Sequence, residues 1–125
     1  MSRVFQEVRI RSNIGESAVK ALFDTGASRT FIKNEVAKRI GYAIKLLKPR
    51  VVTLGDGDTK IEVKENINLE IILDDYAIST DADVTEKLAH ELIIGASTME
   101  EWGIVVDPKE GKVLIKERRT SFELV

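Results

Sequence analysis

The sequence predicts an all-β domain with one or two short helices, and three observations point there. Apolar residues recur in short runs, several of them alternating with polar residues, as half-buried strands require. Two turn signatures, Gly55-Asp56-Gly57-Asp58 and Asp107-Pro108-Lys109-Glu110-Gly111, each lie between such runs. Helix-boundary residues occur at only two places, around Asn34 and around Ser97. A chain of 125 residues and 14.0 kDa fits one domain, spanning 1–125, with a modest core.

In chain order, Val4, Val8 and Ile10 share one face of a first strand over 4–11. Ser12-Asn13-Ile14-Gly15-Glu16-Ser17 reads as a turn, and a second strand runs from Ala18 through Phe23 into Asp24. Asn34 is placed to cap a helix over 35–40, and Gly41 stands where a left-handed stop would close it. Arg50-Leu54 and Thr59-Val63 flank the first hairpin turn, and Ile67-Leu73 forms a separate, largely buried strand. The acidic stretch from Asp74 to Glu86 reads as a solvated loop. After the apolar run Leu92-Ile93-Ile94, Ser97 and Glu100 fit a capping box for a helix through Trp102 that Gly103 closes. Ile104-Val105-Val106 and Lys112-Val113-Leu114-Ile115 make the last hairpin, and the tail carries Phe122-Glu123-Leu124-Val125.

The chemistry concentrates in Ala21-Leu22-Phe23-Asp24-Thr25-Gly26-Ala27-Ser28. A carboxylate at the buried end of a strand must be hydrogen-bonded, paired or protonated, because an isolated buried charge is very costly. Thr25 offers a hydroxyl, and Gly26 lets another backbone approach. An Asp before Thr-Gly also closes turns through its own side chain, so that reading stands beside the catalytic one. A second Gly-Ala-Ser triplet, Gly95-Ala96-Ser97, follows Ile93-Ile94 as the first follows Leu22-Phe23 with two residues between.

With both flanks, the octapeptide resembles the active-site signature of aspartic proteases. A single copy on a short chain resembles the retropepsins, the retroviral-type members. Leu92-Ile93-Ile94-Gly95, then a helix, then Trp102-Gly103-Ile104-Val105-Val106-Asp107, resembles the second half of that fold. The resemblance covers roughly residues 4–115 and implies a closed barrel, assembled as a homodimer in which each subunit gives one Asp. An isologous twofold interface sets the same residue of both protomers beside the axis, so one Asp24 becomes two. The implied function is hydrolysis of a polypeptide substrate by an Asp24 pair activating water. By the same resemblance Thr25 bonds across the axis and Gly26 supports the loop. Ala27 and Ser28 line the cleft floor, and Gly55, Asp56 and Gly57 form the tip of a flap over the substrate. Retroviral members often carry an acid at Ser28 and an Arg at Ala96 that brace the dimer; here both are small, and Arg29 is a substitute without a named partner. Trp102 resembles a core aromatic, and the tail could interleave with a partner subunit. The alternative is a retropepsin-like dimer that binds peptides without cutting them.

Other classes find little support. A net charge of −2 and pI near 5.5 give no electrostatic case for nucleic acid. No apolar run reaches membrane-span length, no signal-peptide core opens the chain, and the cytoplasm is the default location of what reads as a cellular, prokaryotic member. With no cysteine and His90 the only histidine, no cofactor or metal is expected. The acids Asp74, Asp75, Asp81, Asp83 and Glu86 lack calcium-loop spacing.

Overall fold

The computed structural model describes residues 2–53 and 57–116. Its elements, in order, are β1 (Arg3–Arg11), β2 (Glu16–Asp24), β3 (Phe31–Lys33), α1 (Asn34–Ile40), β4 (Ile44–Thr53) and β5 (Lys60–Leu73). They continue with β6 (Tyr76–Thr85), β7 (Leu92–Ile94), α2 (Ala96–Trp102), β8 (Ile104–Asp107) and β9 (Lys112–Ile115). The strands β1-β2-β7-β3-β6-β5 run side by side, and Arg9–Arg11 of β1 pairs with Glu70–Ile72 of β5 to close a six-stranded barrel. Strand β4 pairs outside β5 as the arm of a hairpin, and β8 with β9 forms a separate two-stranded sheet. The all-β, closed-barrel expectation with two short helices therefore holds.

Alternation builds the barrel. In β5, Ile61, Val63, Ile67, Leu69, Ile71 and Leu73 are buried at odd positions, and in β1 Val4, Val8 and Ile10 are buried at even ones. The period passes through Lys64-Glu65-Asn66 unbroken, so the two strands read separately from sequence are one. A second, smaller cluster of Phe31, Ile61, Val63 and Leu88 lies apart from the main core, with Leu46, Val52 and Ile93 packed on it.

Three helix-end expectations are corrected. Asn34 does not cap α1; the N-cap is Lys33, and the Asn34 amide reaches Glu86 at 3.4 Å. Gly41 ends that helix with extended backbone, not a left-handed one, and a Cβ there would crowd Ser12 and Asn13. The Ser97–Glu100 capping box is absent, because the N–H groups that open α2 are taken by another segment: Ala96 donates to Ala27 O at 2.7 Å and Ser97 to Ser28 O at 3.1 Å. Gly103 closes α2 in the left-handed region, at φ 67°, as expected.

The acidic stretch is the largest correction. Residues 76–85 are strand β6, not loop, with Ile78, Ala82 and Val84 buried. Interspersed acids hide that alternation. Asp74 and Asp75 make the turn before it, Asp74 at φ 54°. Asp83 is fully buried and far from solvated: Oδ2 accepts Arg29 Nε at 2.7 Å, and Oδ1 accepts Arg29 Nη2 at 3.0 Å, Arg50 Nη2 at 2.6 Å and Asn66 Nδ2 at 3.0 Å. Burial pushes the Asp83 carboxyl up, but the Arg29 hydrogen bonds, the Asn66 bond and the two guanidinium charges outweigh it and hold it below the usual value. The Arg29 guanidinium is shifted up by its bond to Asp83.

Two predictions follow from this packing. A Cβ on Gly95 would overlap the Arg29 carbonyl oxygen and lie 2.6 Å from its carbon and 2.8 Å from Ala27 O. Backbone cannot yield as a side chain does, so Gly95→Ala should cost roughly 3 kcal/mol or more in urea unfolding. Because Asp83 titrates lower in the folded than in the unfolded chain, its stabilisation is complete above the ordinary aspartate value of about 3.9 and is lost as pH falls through the folded value. Asp83→Asn should therefore cost about 3 kcal/mol at neutral pH, and its gap to wild type should shrink on acidification below about pH 4. A gap independent of pH would contradict this.

Candidate active site

Asp24 is the last residue of β2, between β1 and β7 at the barrel end. Behind it Ala21, Leu22 and Phe23 are buried, whereas the Asp24 side chain keeps 17% of its surface exposed. Oδ1 accepts the Gly26 N–H at 2.9 Å, and Oδ2 lies 3.6 Å from Arg3 Nε. The Gly26 bond is the turn closure that the sequence allowed, and it fixes the carboxylate's orientation.

The loop after Asp24 rests on the segment that opens α2. Besides the Ala96 and Ser97 bonds, the Gly95 N–H donates to Thr30 Oγ1 at 3.1 Å. Thr30 and Thr98, both buried, share a hydroxyl bond of 2.6 Å, and Thr98 meets Thr80 at 2.9 Å. The two Gly-Ala-Ser triplets thus lie against each other, as β2 and β7 pair in parallel with Leu22 beside Ile93.

Asp24, Gly26, Ala27 and Ser28 come together on one cleft of about 590 Å³. Its apolar lining is Leu22, Phe31, Val52, Leu88 and Ile93, and Arg3, Thr53 and His90 also border it. The cleft wall is therefore largely the second apolar cluster seen from outside. His90, half-buried, packs edge-on against Phe5 at 5.2 Å between ring centres.

Thr25 does not line the cleft. Its N–H donates to Ser2 O at 3.0 Å, and its hydroxyl accepts the Ser2 N–H at 2.8 Å while lying 3.3 Å from Ser2 O. Gly57 stands exposed in the β4–β5 connection at φ 81°, outside the cleft lining. Gly55 and Asp56, and the tail over 117–125, fall outside the described residues. Trp102 packs against the main core and donates its Nε1 to Ser79 O at 3.1 Å.

Sequence reasoning missed the Arg29–Asp83–Arg50–Asn66 cluster beside the loop. The available signal was Ala82-Asp83-Val84, an acid between two apolar residues in a strand-like run. Among the described residues no group of three His, Cys, Asp or Glu side chains is gathered to hold a metal, and no helix is long and apolar enough to cross a membrane.

A family described as "gag-polyprotein putative aspartyl protease" matches residues 10–101. No curated protein matches the sequence. Among solved structures, the retroviral protease-like domain of Ddi1 from Leishmania major aligns at a TM-score of 0.68 and 21% identity, over 94% of this chain and 91% of that one. The EIAV protease, solved with the inhibitor HBY-793, aligns at 0.58 and 20% identity, over 81% and 88%. At those identities the structures establish the shared fold, and the family match spans most of the chain. This protein belongs to the gag-polyprotein aspartyl protease family, with a retropepsin-like fold.

Proposed function

We propose that the chain is an aspartic endopeptidase that works as a homodimer, two Asp24 side chains forming one catalytic pair. The observation that carries this reading is the placement of Asp24: a half-buried carboxylate, oriented by a backbone N–H, at the edge of a cleft of about 590 Å³ with an apolar wall. Among the described residues bordering that cleft it is the one carboxylate. Water activation in this chemistry needs a second, and a twofold axis beside Asp24 supplies it.

Two carboxylates in contact repel when both are charged, so the pair holds one proton between them. The ionised member takes a proton from a bridging water, which attacks the scissile carbonyl carbon. The protonated member donates to the carbonyl oxygen as negative charge develops there. Collapse of the tetrahedral species passes a proton to the leaving nitrogen and regenerates the shared-proton state. Ala27 and Ser28 form the floor under an extended peptide, and Leu22, Phe31 and Ile93 favour apolar side chains flanking the cut. The β4–β5 hairpin, which already gives Val52 and Thr53 to the cleft, serves as the flap, with Gly55, Asp56 and Gly57 at its tip.

A second reading, a dimer that holds peptides without cutting them, is favoured by two features. Ser28 and Ala96 cannot make a charged brace, and in the single chain the Thr25 hydroxyl is engaged by Ser2.

The two readings separate in one experiment. Purified protein incubated with a peptide library from about pH 3 to 7 should cleave, and Asp24→Asn should lose at least about a thousandfold in kcat/KM. Binding without cleavage by both proteins would favour the second reading. Sedimentation should give twice the 14.0 kDa chain mass at working concentrations, and specific activity should fall on dilution as dimers dissociate. Activity that survives dilution to a sedimenting monomer would refute the shared pair.

A further inference from the structure

The buried carboxylate of Asp83 joins two parts of the cleft that separate elements carry. Arg29 directly follows Ser28 of the cleft floor. Arg50 lies two residues before Val52 on β4, and residues two apart share a strand face. Both are half-buried, while Val51 between them is exposed. One face of β4 therefore presents Val52 to the cleft and Arg50 to Asp83, on β6.

What else fixes strand β4 there is its pairing with β5 and the packing of Leu46 and Val52 on the smaller apolar cluster. Among the described residues it pairs only with β5, and its register breaks between Lys45 and Arg50, where residues 46–49 stand opposite Lys64 alone. Pro49 within that stretch has no N–H to give to a ladder. Regular pairing resumes at Arg50, opposite Val63. The Arg50 guanidinium meets Asp83 through Nη2 at 2.6 Å, while its Nε is buried with no partner among the described residues. Asp83 is itself immobile: its backbone N–H donates to Thr30 O at 2.9 Å, and Arg29 and Asn66 occupy its carboxylate.

We infer that Arg50 is a positioning residue. Clamped to Asp83, it sets the distance between the β4 wall and the Asp24 loop, and with it the width of the cleft offered to a peptide backbone. The inference rests on the proposed peptidase reading for its kinetic consequence, but not for its structural one. Arg29 keeps Asp83 charged and paired when Arg50 is replaced, so the barrel survives and only the hairpin loses its hold. A charged hydrogen bond serves here better than an apolar contact, because it fixes direction as well as proximity.

The test compares wild type, Arg50→Met, which keeps an unbranched apolar stem without the guanidinium, and Arg50→Lys, which keeps the charge. Amide hydrogen exchange should rise about tenfold over 50–53 and 57–63 in Arg50→Met and stay unchanged in the β1–β2 hairpin. On a cleaved peptide, KM should rise about tenfold with kcat within about threefold, and Arg50→Lys should recover part of both effects. Wild-type exchange together with wild-type KM in Arg50→Met would overturn the inference. So would a rise spread equally over β1–β2 with KM unchanged, which marks a merely structural residue. If the wild type cleaves no peptide, the peptidase reading fails, and the exchange pattern alone then decides: a local rise supports the clamp and its absence refutes it.

Discussion

The fold of the site depends on two stretches of backbone meeting without side chains between them. The loop leaving Asp24 and the turn entering α2 touch main chain to main chain, and Gly95 leaves the space that allows it. The first N–H groups of any helix lack partners within it. In α2 those of Ala96 and Ser97 are spent on the carbonyls of Ala27 and Ser28. The helix start thus acts as a cradle for the Asp24 loop, which explains why no side chain caps it. Each such bond is worth only about 1 kcal/mol net. Their value lies in being made by rigid backbone, so the loop is positioned before any ligand or partner arrives.

The same contact gives the chain an approximate internal symmetry. Leu22 pairs beside Ile93, and Gly26-Ala27-Ser28 lies against Gly95-Ala96-Ser97, but only the first copy carries an acid. Of the two triplets, then, only the first lies beside a carboxylate. Charge around the loop is arranged accordingly. Ser28 and Ala96 carry none, while Arg29 turns to Asp83 inside the same subunit. Taking an ion pair out of water seldom adds much stability, but it does select one arrangement over others. Here it selects the arrangement in which loop, β4 and β6 keep fixed spacing.

Part of the architecture was legible because β1 and β5 alternate. Val4, Val8 and Ile10 announce β1, and the apolar odd positions of β5 announce its two ends, though not that they form one strand. The Asp24 loop was legible because its residue types are rare together, and its neighbour β7 because Ile93-Ile94-Gly95 echoes it. Polar residues inside β5 and β6 masked their continuity, and the remaining misses are side chains whose partners lie far along the chain. Asp83 looks like one acid among several until Arg29, 54 residues away, and Arg50, 33 away, are brought to it. Ser97 looks like a cap until the Asp24 loop, far upstream, takes its N–H. Local pattern gives the period of a strand and not the company its residues keep.

Thr25 shows how the single chain bears on assembly under the proposed reading. Its hydroxyl already accepts one hydrogen bond from Ser2, and its N–H is given to Ser2 as well. A bond from Thr25 to a partner subunit must share that hydroxyl or displace Ser2. Exchanging one neutral hydrogen bond for another is close to neutral in free energy. The Thr25 contact can then orient two subunits, but it adds little to their affinity. No charge pair is available at Ser28 and Ala96 to add to it either. Under that reading affinity has to come from other contacts, and apolar burial, which is non-directional and scales with area, is the kind that can supply it. Orientation and affinity would then reside in different residues, and substitutions at Thr25 would disturb the geometry of the Asp24 pair more than the dimer itself.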